Sequence, residues 1–492
     1  MPILSKTRFL AGLQCHLHLW YECYNRELKS EVDPIQQAVF DTGHEVGRLA
    51  TELYSGGVRI EEDHFHHEEA VQSTLQVLKN PEVPAIYEAA FLEDGVSIRV
   101  DVLQRVNGNR WNLIEVKSST RVKKEHLPDV AVQYYVLQKA GLRINRAGIM
   151  HINNQYVYDG RNLDLESFLT FSDETEEALS QQGLIPSQLA ALNNMLGKSA
   201  PPDILPSPRC KNPYLCDFWE HCTAQMPEYW VLKLGGISEK KLNELRAIGV
   251  EDIRDIPGAF PLSPIQQLRR DCVVNQKKYI APELGAELTN VEYPIHFLDF
   301  ETIGPAIPRY SSTRPYQTVP FQWSDHILQK DGTLEHREYL SVEDKDPREE
   351  FTETLLKALG EKGSIVVYTT YEKGVLEGLA EHLSHYSDRL FSVIDRLYDL
   401  HVVVKNHYYH PQFHGSFSLK SVLPAILPEM RYDDLAIQEG QMASLEYLRM
   451  IDPATPPDEK EKIKKDLLTY CAHDTMAMVK IRDELLKRAT NA

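Results

Sequence analysis

The sequence predicts an α/β fold in two parts, and three observations carry that expectation. Apolar and β-branched runs such as AIYEAAFL, VSIRVDVLQRV and WNLIEVKSS alternate with helical stretches up to about residue 200. A proline-rich stretch, SAPPDILPSPRC, reads as an extended connector. A new strand-and-helix pattern then begins at YPIHFLDFETIG and runs to the C-terminus. With 492 residues the chain is too long for a single hydrophobic core. The expected division is 1–228, a helical connector over 229–289, and 290–492.

Bulk composition narrows the function. The 42% hydrophobic and 25% charged content is that of an ordinary globular protein. No run of 18 apolar residues occurs and the first twenty residues lack the pattern of a secretory signal, so a cytoplasmic protein without membrane contact is expected. A formal charge of -19 argues against coating nucleic acid with an overall positive field, while local basic stretches such as SSTRVKKEH leave a grip on polyanions open. The His-rich run EDHFHHEE reads as a solvated surface.

Within the first part, LIEVKSST places Glu115 and Lys117 two apart on a strand, hence on one face. Fourteen residues earlier Asp101 lies in VSIRVDVL, separated from the next strand by NGN, a hairpin turn. The hairpin brings Asp101 and Glu115 together, and two converging carboxylates repel unless a cation joins them, which points to Mg²⁺ or Mn²⁺. Lys117 would stabilise charge developing on a phosphate or help to deprotonate the attacking water.

These residues resemble the RecB-like, PD-(D/E)xK nucleases, whose restriction-endonuclease-like core carries a strand Asp and a strand Glu-x-Lys. The resemblance adds His44, in FDTGHEVGRLA, as a further metal ligand, and Gln133, in VAVQYYVLQKAG, on the helix that flanks the site. The family's Tyr four residues after that Gln is Leu137 here.

Seven cysteines in a large cytosolic chain do not suggest disulfides. CKNPYLCDFWEHC sets Cys210, Cys216 and Cys222 six apart, a spacing wider than paired zinc ligands use. With Cys15 as the fourth thiolate the arrangement resembles the iron–sulfur staple of RecB-like nucleases, implying a [4Fe-4S] cluster that ties the ends of the domain together. Cys23 is the rival for the fourth position, and His221 would make the site zinc instead. Cys272 and Cys471 read as ordinary buried residues.

The stretch LGGISEKKLNELRAIGVEDIRDIP resembles a helix-hairpin-helix, which holds phosphate without reading sequence, although Ser238 stands where a second Gly is usual.

In the second part, HFLDFETIG puts Asp299 and Glu301 on one face of a buried strand. The motif resembles the Asp-x-Glu-Thr of the DEDD exonucleases, which have an RNase H-like fold. LLTYCAHDTMAMV supplies Tyr470 and Asp474 one helical turn apart, similar to that family's Tyr-x-x-x-Asp. For the middle acid the chain offers Glu372, with Asp399 as the alternative.

The resemblances imply a metal-dependent DNA nuclease with two hydrolytic centres. Asp101, Glu115 and His44 would hold metal in one, with Lys117 and Gln133 assisting. Asp299, Glu301, Glu372 and Asp474 would hold two metals in the other, with Tyr470 orienting water. Trimming of 3′ ends and a role in repair or defence against foreign DNA follow from the same likeness. RNA processing is the alternative substrate class, and a nucleic-acid-binding scaffold with one or both centres inactive is the alternative outside the enzymes.

Overall fold

The computed structural model describes residues 2–63 and 65–491, so His64 of the His-rich run lies outside the described residues. The protein is a mixed α/β structure that divides into two compact units. The first comprises Met1–Gln225 with Ala306–Tyr316, the second Met226–Pro305 with Gln317–Ala492. The helical stretch expected as a separate connector thus belongs to the second unit, and eleven residues from the second pattern belong to the first.

The first unit is built on β1 (Leu4–Ser5), β2 (Val58–Arg59), β3 (Ala85–Glu93), β4 (Val96–Asn107), β5 (Arg110–Lys117), β6 (Arg143–Ile152) and β7 (Leu169–Asp173). The sheet order is β2-β3-β4-β5-β6-β7, with β1 also paired to β4. Strands β3, β4 and β5 form an antiparallel meander. Its first turn is Asp94–Gly95, both at positive φ (49° and 75°), the conformation that a two-residue hairpin requires. Helix Leu127–Lys139 then carries the chain back so that β6 runs parallel to β5.

Alternation along β5 separates its two faces. Trp111 and Leu113 pack with Val130, Val132 and Leu137 of helix Leu127–Lys139. Ile114 packs with Val46, Leu49 and Ala50 of helix Pro34–Glu52 on the other. Ala306 joins this second cluster. The loop around it is tied by Ser312 N–H to Tyr158 O (2.8 Å) and Tyr158 N–H to Thr313 O (3.0 Å).

The second unit opens with helix Glu239–Ala247, capped by Ser238 Oγ, and helix Pro264–Asn275, capped by Ser263. Gln266 of the latter donates to Gly235 O and Gly236 O (2.9 and 3.1 Å), clamping the glycine turn. Its strands are β8 (Tyr279–Ile280), β9 (Ile295–Ile303), β10 (Val319–Leu328), β11 (Leu334–Leu340), β12 (Ile365–Val367), β13 (Leu397–Asp399) and β14 (Tyr408–Tyr409). Five of them form a sheet of order β11-β10-β9-β12-β13. β11, β10 and β9 are antiparallel, and β12 and β13 run parallel to β9.

One face of this sheet buries Leu298, Phe300 and Trp323 against Phe351, Leu355 and Leu376. The other carries Asp299 and Glu301 towards the 34-residue helix Pro457–Thr490, which contacts both β9 and β10. Among the described residues no helix is long and apolar enough to cross a membrane.

Candidate active sites

In the first unit Glu115 emerges from β5 on the face covered by helix Leu127–Lys139 and is almost fully buried. Lys117 Nζ lies 2.7 Å from Glu115 Oε1 and 2.7 Å from Asp129 Oδ2. Gln133 Nε2 donates to Glu115 Oε2 (2.7 Å) and to Asp129 Oδ1 (2.9 Å). Lys6 Nζ reaches both oxygens of Glu115 (2.8 and 2.9 Å) and lies 3.3 Å from Asp129 Oδ1. Asp101 stands one step beyond the paired Val102 and Ile114, and its Oδ2 accepts from Val116 N–H (2.6 Å).

Charge decides the protonation here. Burial works against an ionised Glu115, but Lys117 and Lys6 outweigh it and hold its carboxyl well below the usual range. Burial, followed by Glu115, pushes Asp101 up to about 7. Burial also opposes the Lys117 ammonium, yet Glu115, Asp129 and Asp101 prevail and raise its pKa.

The structure therefore gathers Asp101, Glu115, Lys117 and Gln133, and adds Lys6 and Asp129, which the sequence reading missed. Asp129 was legible, since it precedes Gln133 by four on one helix face. Lys6, 109 positions from Glu115, left no local signal.

One expectation is corrected. His44 is not brought to the carboxylates: its helix packs on the face of β5 opposite Glu115. Among the described residues His44, Asp101 and Glu115 form no group with ligand atoms within 4.8 Å of one another. Lys6 and Lys117 pair with Glu115 directly, while Asp101 feels the two ammonium groups only at longer range and stays raised by burial and Glu115.

In the second unit the carboxylates face one another with far less compensation. Asp299 and Glu301 come from β9, Glu372 from the first turn of helix Tyr371–His382 after β12, and Asp474 from helix Pro457–Thr490. Asp299, Glu301 and Asp474 line a cleft of about 490 Å³ with Tyr470, Tyr371 and Lys420. Asp474 Oδ1 accepts from the Tyr432 hydroxyl. Burial first, then the neighbouring carboxylates, raise Asp299 and Glu301 well above the usual range. Burial, with Asp399 and Asp474, pushes Glu372 up to about 8, and burial lifts Asp474 to about 6. Lys420 opposes this rise at both Glu301 and Asp474.

Glu372 is 3% exposed, its charge reaches Asp299 and Glu301, and its Oε2 has no hydrogen-bond partner among the described residues. Asp399 instead caps helix Leu400–His407, accepting from Val402 N–H (3.2 Å). Cys471 is not an ordinary core residue: its thiol donates to Asp299 Oδ2 (3.4 Å), and Asp299, Glu301 and Cys471 place ligand atoms within 4.8 Å of one another.

The cysteines of the first unit converge. Cys15 sits in extended backbone (φ −159°, ψ 125°) at the break between helices Lys6–Gln14 and His16–Tyr24. Cys216 N–H closes a loop onto Cys210 O (2.7 Å), and Cys222 follows on the short helix Trp219–Thr223. Burial, then Cys210, Cys15 and Cys222, push the Cys216 thiol up to about 12. Burial, then Cys210 and Cys15, push Cys222 up to about 11. Cys23 responds to burial, Arg8 and Glu22 rather than to another thiol, whereas Cys15 acts on both Cys216 and Cys222. His221 packs edge-on against Tyr21 (5.3 Å). Nearby, His18, Glu22 and Asp217 form another group within 4.8 Å, bridged by Lys29 Nζ at 3.3 Å from Glu22 and 2.7 Å from Asp217.

Residues 296–418 match a family described as a domain of unknown function (DUF2779). The match begins in β9 and includes Asp299, Glu301 and Glu372, while Tyr470, Asp474 and most of the first unit lie outside it. No curated protein and no solved structure matches the chain.

Proposed function

We propose that the protein is a metal-dependent nuclease with two hydrolytic centres, acting on DNA and trimming 3′ ends at the second. The observation that carries this reading is the convergence of Asp299, Glu301 and Asp474 at one cleft, with Glu372 close enough for its charge to act on Asp299 and Glu301, and all four shifted towards protonation. Four such groups are stabilised in ionised form by divalent cations with oxygen ligands. Mg²⁺ or Mn²⁺ held there would supply Lewis acidity at the scissile phosphate. Asp299, Glu301 and Asp474 would bind from one side and Glu372 from helix Tyr371–His382. Tyr470, at the cleft, orients the attacking water, and Lys420 faces the phosphate. The strand order, three antiparallel followed by two parallel, supports an RNase H-like domain of the DEDD type.

In the first unit, the meander β3-β4-β5, crossover helix and parallel β6 support a restriction-endonuclease-like core of the RecB-like kind. Asp101 and Glu115 would hold metal there and Lys117 would stabilise the phosphate's developing charge. Lys6 favours a second reading, in which this centre binds nucleic acid without cutting it, since its ammonium already occupies both oxygens of Glu115.

Cys15, Cys210, Cys216 and Cys222 would hold a [4Fe-4S] cluster.

The test is cleavage of end-labelled DNA and RNA in Mg²⁺ or Mn²⁺ by the wild-type protein, Lys117→Ala and Asp474→Ala. Each variant should lose a distinct product set. Unchanged cleavage by both would refute the two-centre reading, and loss in Asp474→Ala alone would select the second reading of the first centre.

A further inference from the structure

The chain leaving the first centre, residues 118–126, is bracketed by two exposed tyrosines that hydrolysis does not use. Tyr316, 42% exposed, donates its hydroxyl to Ser118 O, one residue past Lys117. Tyr214, 56% exposed, donates to Glu125 Oε1 (3.4 Å) and holds its ring 5.7 Å from Lys123 Nζ. Its hydroxyl also lies within electrostatic reach of Lys117. Between the two contacts the chain carries Arg121, Lys123 and Lys124 against Glu125 as the one acid, a local excess of positive charge in a chain of net charge -19. Arg121 and Lys124 are exposed and enter no ion pair among the described residues.

Both rings are held in place rather than left on free side chains. Tyr214 lies in the loop that Cys216 N–H closes onto Cys210 O (2.7 Å), and Gln14 Nε2 donates to Asn212 O (3.3 Å) and Tyr214 O (3.0 Å). Tyr316 has φ +59°, a region that a residue with a side chain enters only at a cost and that recurs at functional sites. The tether from its hydroxyl to Ser118 fixes one end of the ring while the rest stays open to solvent.

We propose that Tyr214 and Tyr316, with Arg121 and Lys124 between them, form a platform for a single strand of nucleic acid at the first centre. Bases stack on the two rings and the intervening phosphates meet the two cations, a sequence-tolerant grip because every base has a π-face. A duplex, whose bases already stack on one another, gains nothing from the rings except at its ends. This deepens the nuclease reading of that centre and rests on it.

The test is fluorescence anisotropy of the full-length protein in EDTA, so that binding is read without cleavage, with labelled single-stranded DNA, single-stranded RNA and blunt duplex of one sequence. Single strands should bind more tightly than duplex. Tyr214→Ala and Tyr316→Ala should each weaken single-strand binding by about 5- to 150-fold. Tyr214→Phe and Tyr316→Phe, which keep the rings, should retain most of the affinity, and they separate loss of stacking from loss of fold. Arg121→Ala and Lys124→Ala should flatten the salt dependence, each by about one phosphate contact. Single-strand binding unchanged in both alanine variants, or duplex binding reduced equally, overturns the platform alone. Failure of the wild-type protein to bind nucleic acid in any form would bring down the nuclease reading with it.

Discussion

Replacing Glu372 with Gln keeps the size of the side chain and removes one of the mutually repelling charges. In the metal-free protein Glu372 is raised from 4.5 to about 8, chiefly by burial and then by Asp399 and Asp474. A carboxyl whose folded pKa lies above its unfolded value stabilises the fold fully below the unfolded pKa, and that contribution is lost as pH rises through the folded one. For these two values the stability lost by pH 7 is about 3 kcal/mol, with a ceiling of about 5 kcal/mol above pH 8. A unit of this size converts about 3 kcal/mol into roughly 6–12 °C of Tm. Thermal unfolding in EDTA should therefore show the wild-type protein losing stability between about pH 4.5 and pH 8, and Glu372→Gln, which keeps the raised Asp299, Glu301 and Asp474, losing about 3 kcal/mol less by pH 7. Saturating Mn²⁺ should restore the wild-type protein and have a smaller effect on the variant. A wild-type Tm that is flat or rising over that interval, or equal stabilisation of both proteins by Mn²⁺, would refute the account of Glu372 as a repelled metal ligand.

Lys6→Met leaves Glu115 and Asp129 with one ammonium instead of two, and should lower the urea midpoint by the equivalent of about 3–5 kcal/mol. A loss below about 1 kcal/mol would show that Lys6 is dispensable to the site. A chain cut to residues 1–228 lacks Ala306 and the loop bonded to Tyr158, so it should bind a hydrophobic dye and melt below the first unit of the full protein. Identical melting of the two would refute the assignment of that loop to the first unit. Cys216→Ser should lose iron and acid-labile sulfide while Cys23→Ser keeps them. Equal loss in both variants would contradict the placement of Cys23 outside the cluster.

The parts of the fold and sites legible in the sequence were those written in local periodicity. Period two set Glu115 beside Lys117 and Asp299 beside Glu301, and one helical turn set Tyr470 beside Asp474. β11 escaped notice because LEHREYL is mostly exposed and charged, without the alternation of a half-buried strand. Lys6 and the loop 306–316 escaped because both act over long separations, where tertiary packing decides and no pattern of neighbouring residues records it. His44 shows the converse error, since a helix placed by its apolar side, Val46, Leu49 and Ala50, turned to a face that the position of one histidine did not reveal. Cys471 was misread because a buried thiol among apolar neighbours and one against a carboxylate look alike in sequence.

Crystals grown in Mn²⁺ and examined by anomalous scattering test most directly whether the carboxylates of the second unit exist to hold cations. Peaks among Asp299, Glu301, Glu372 and Asp474, lost in Asp474→Ala, are the result expected. A cleft that stays free of manganese while those four side chains keep their positions would contradict it.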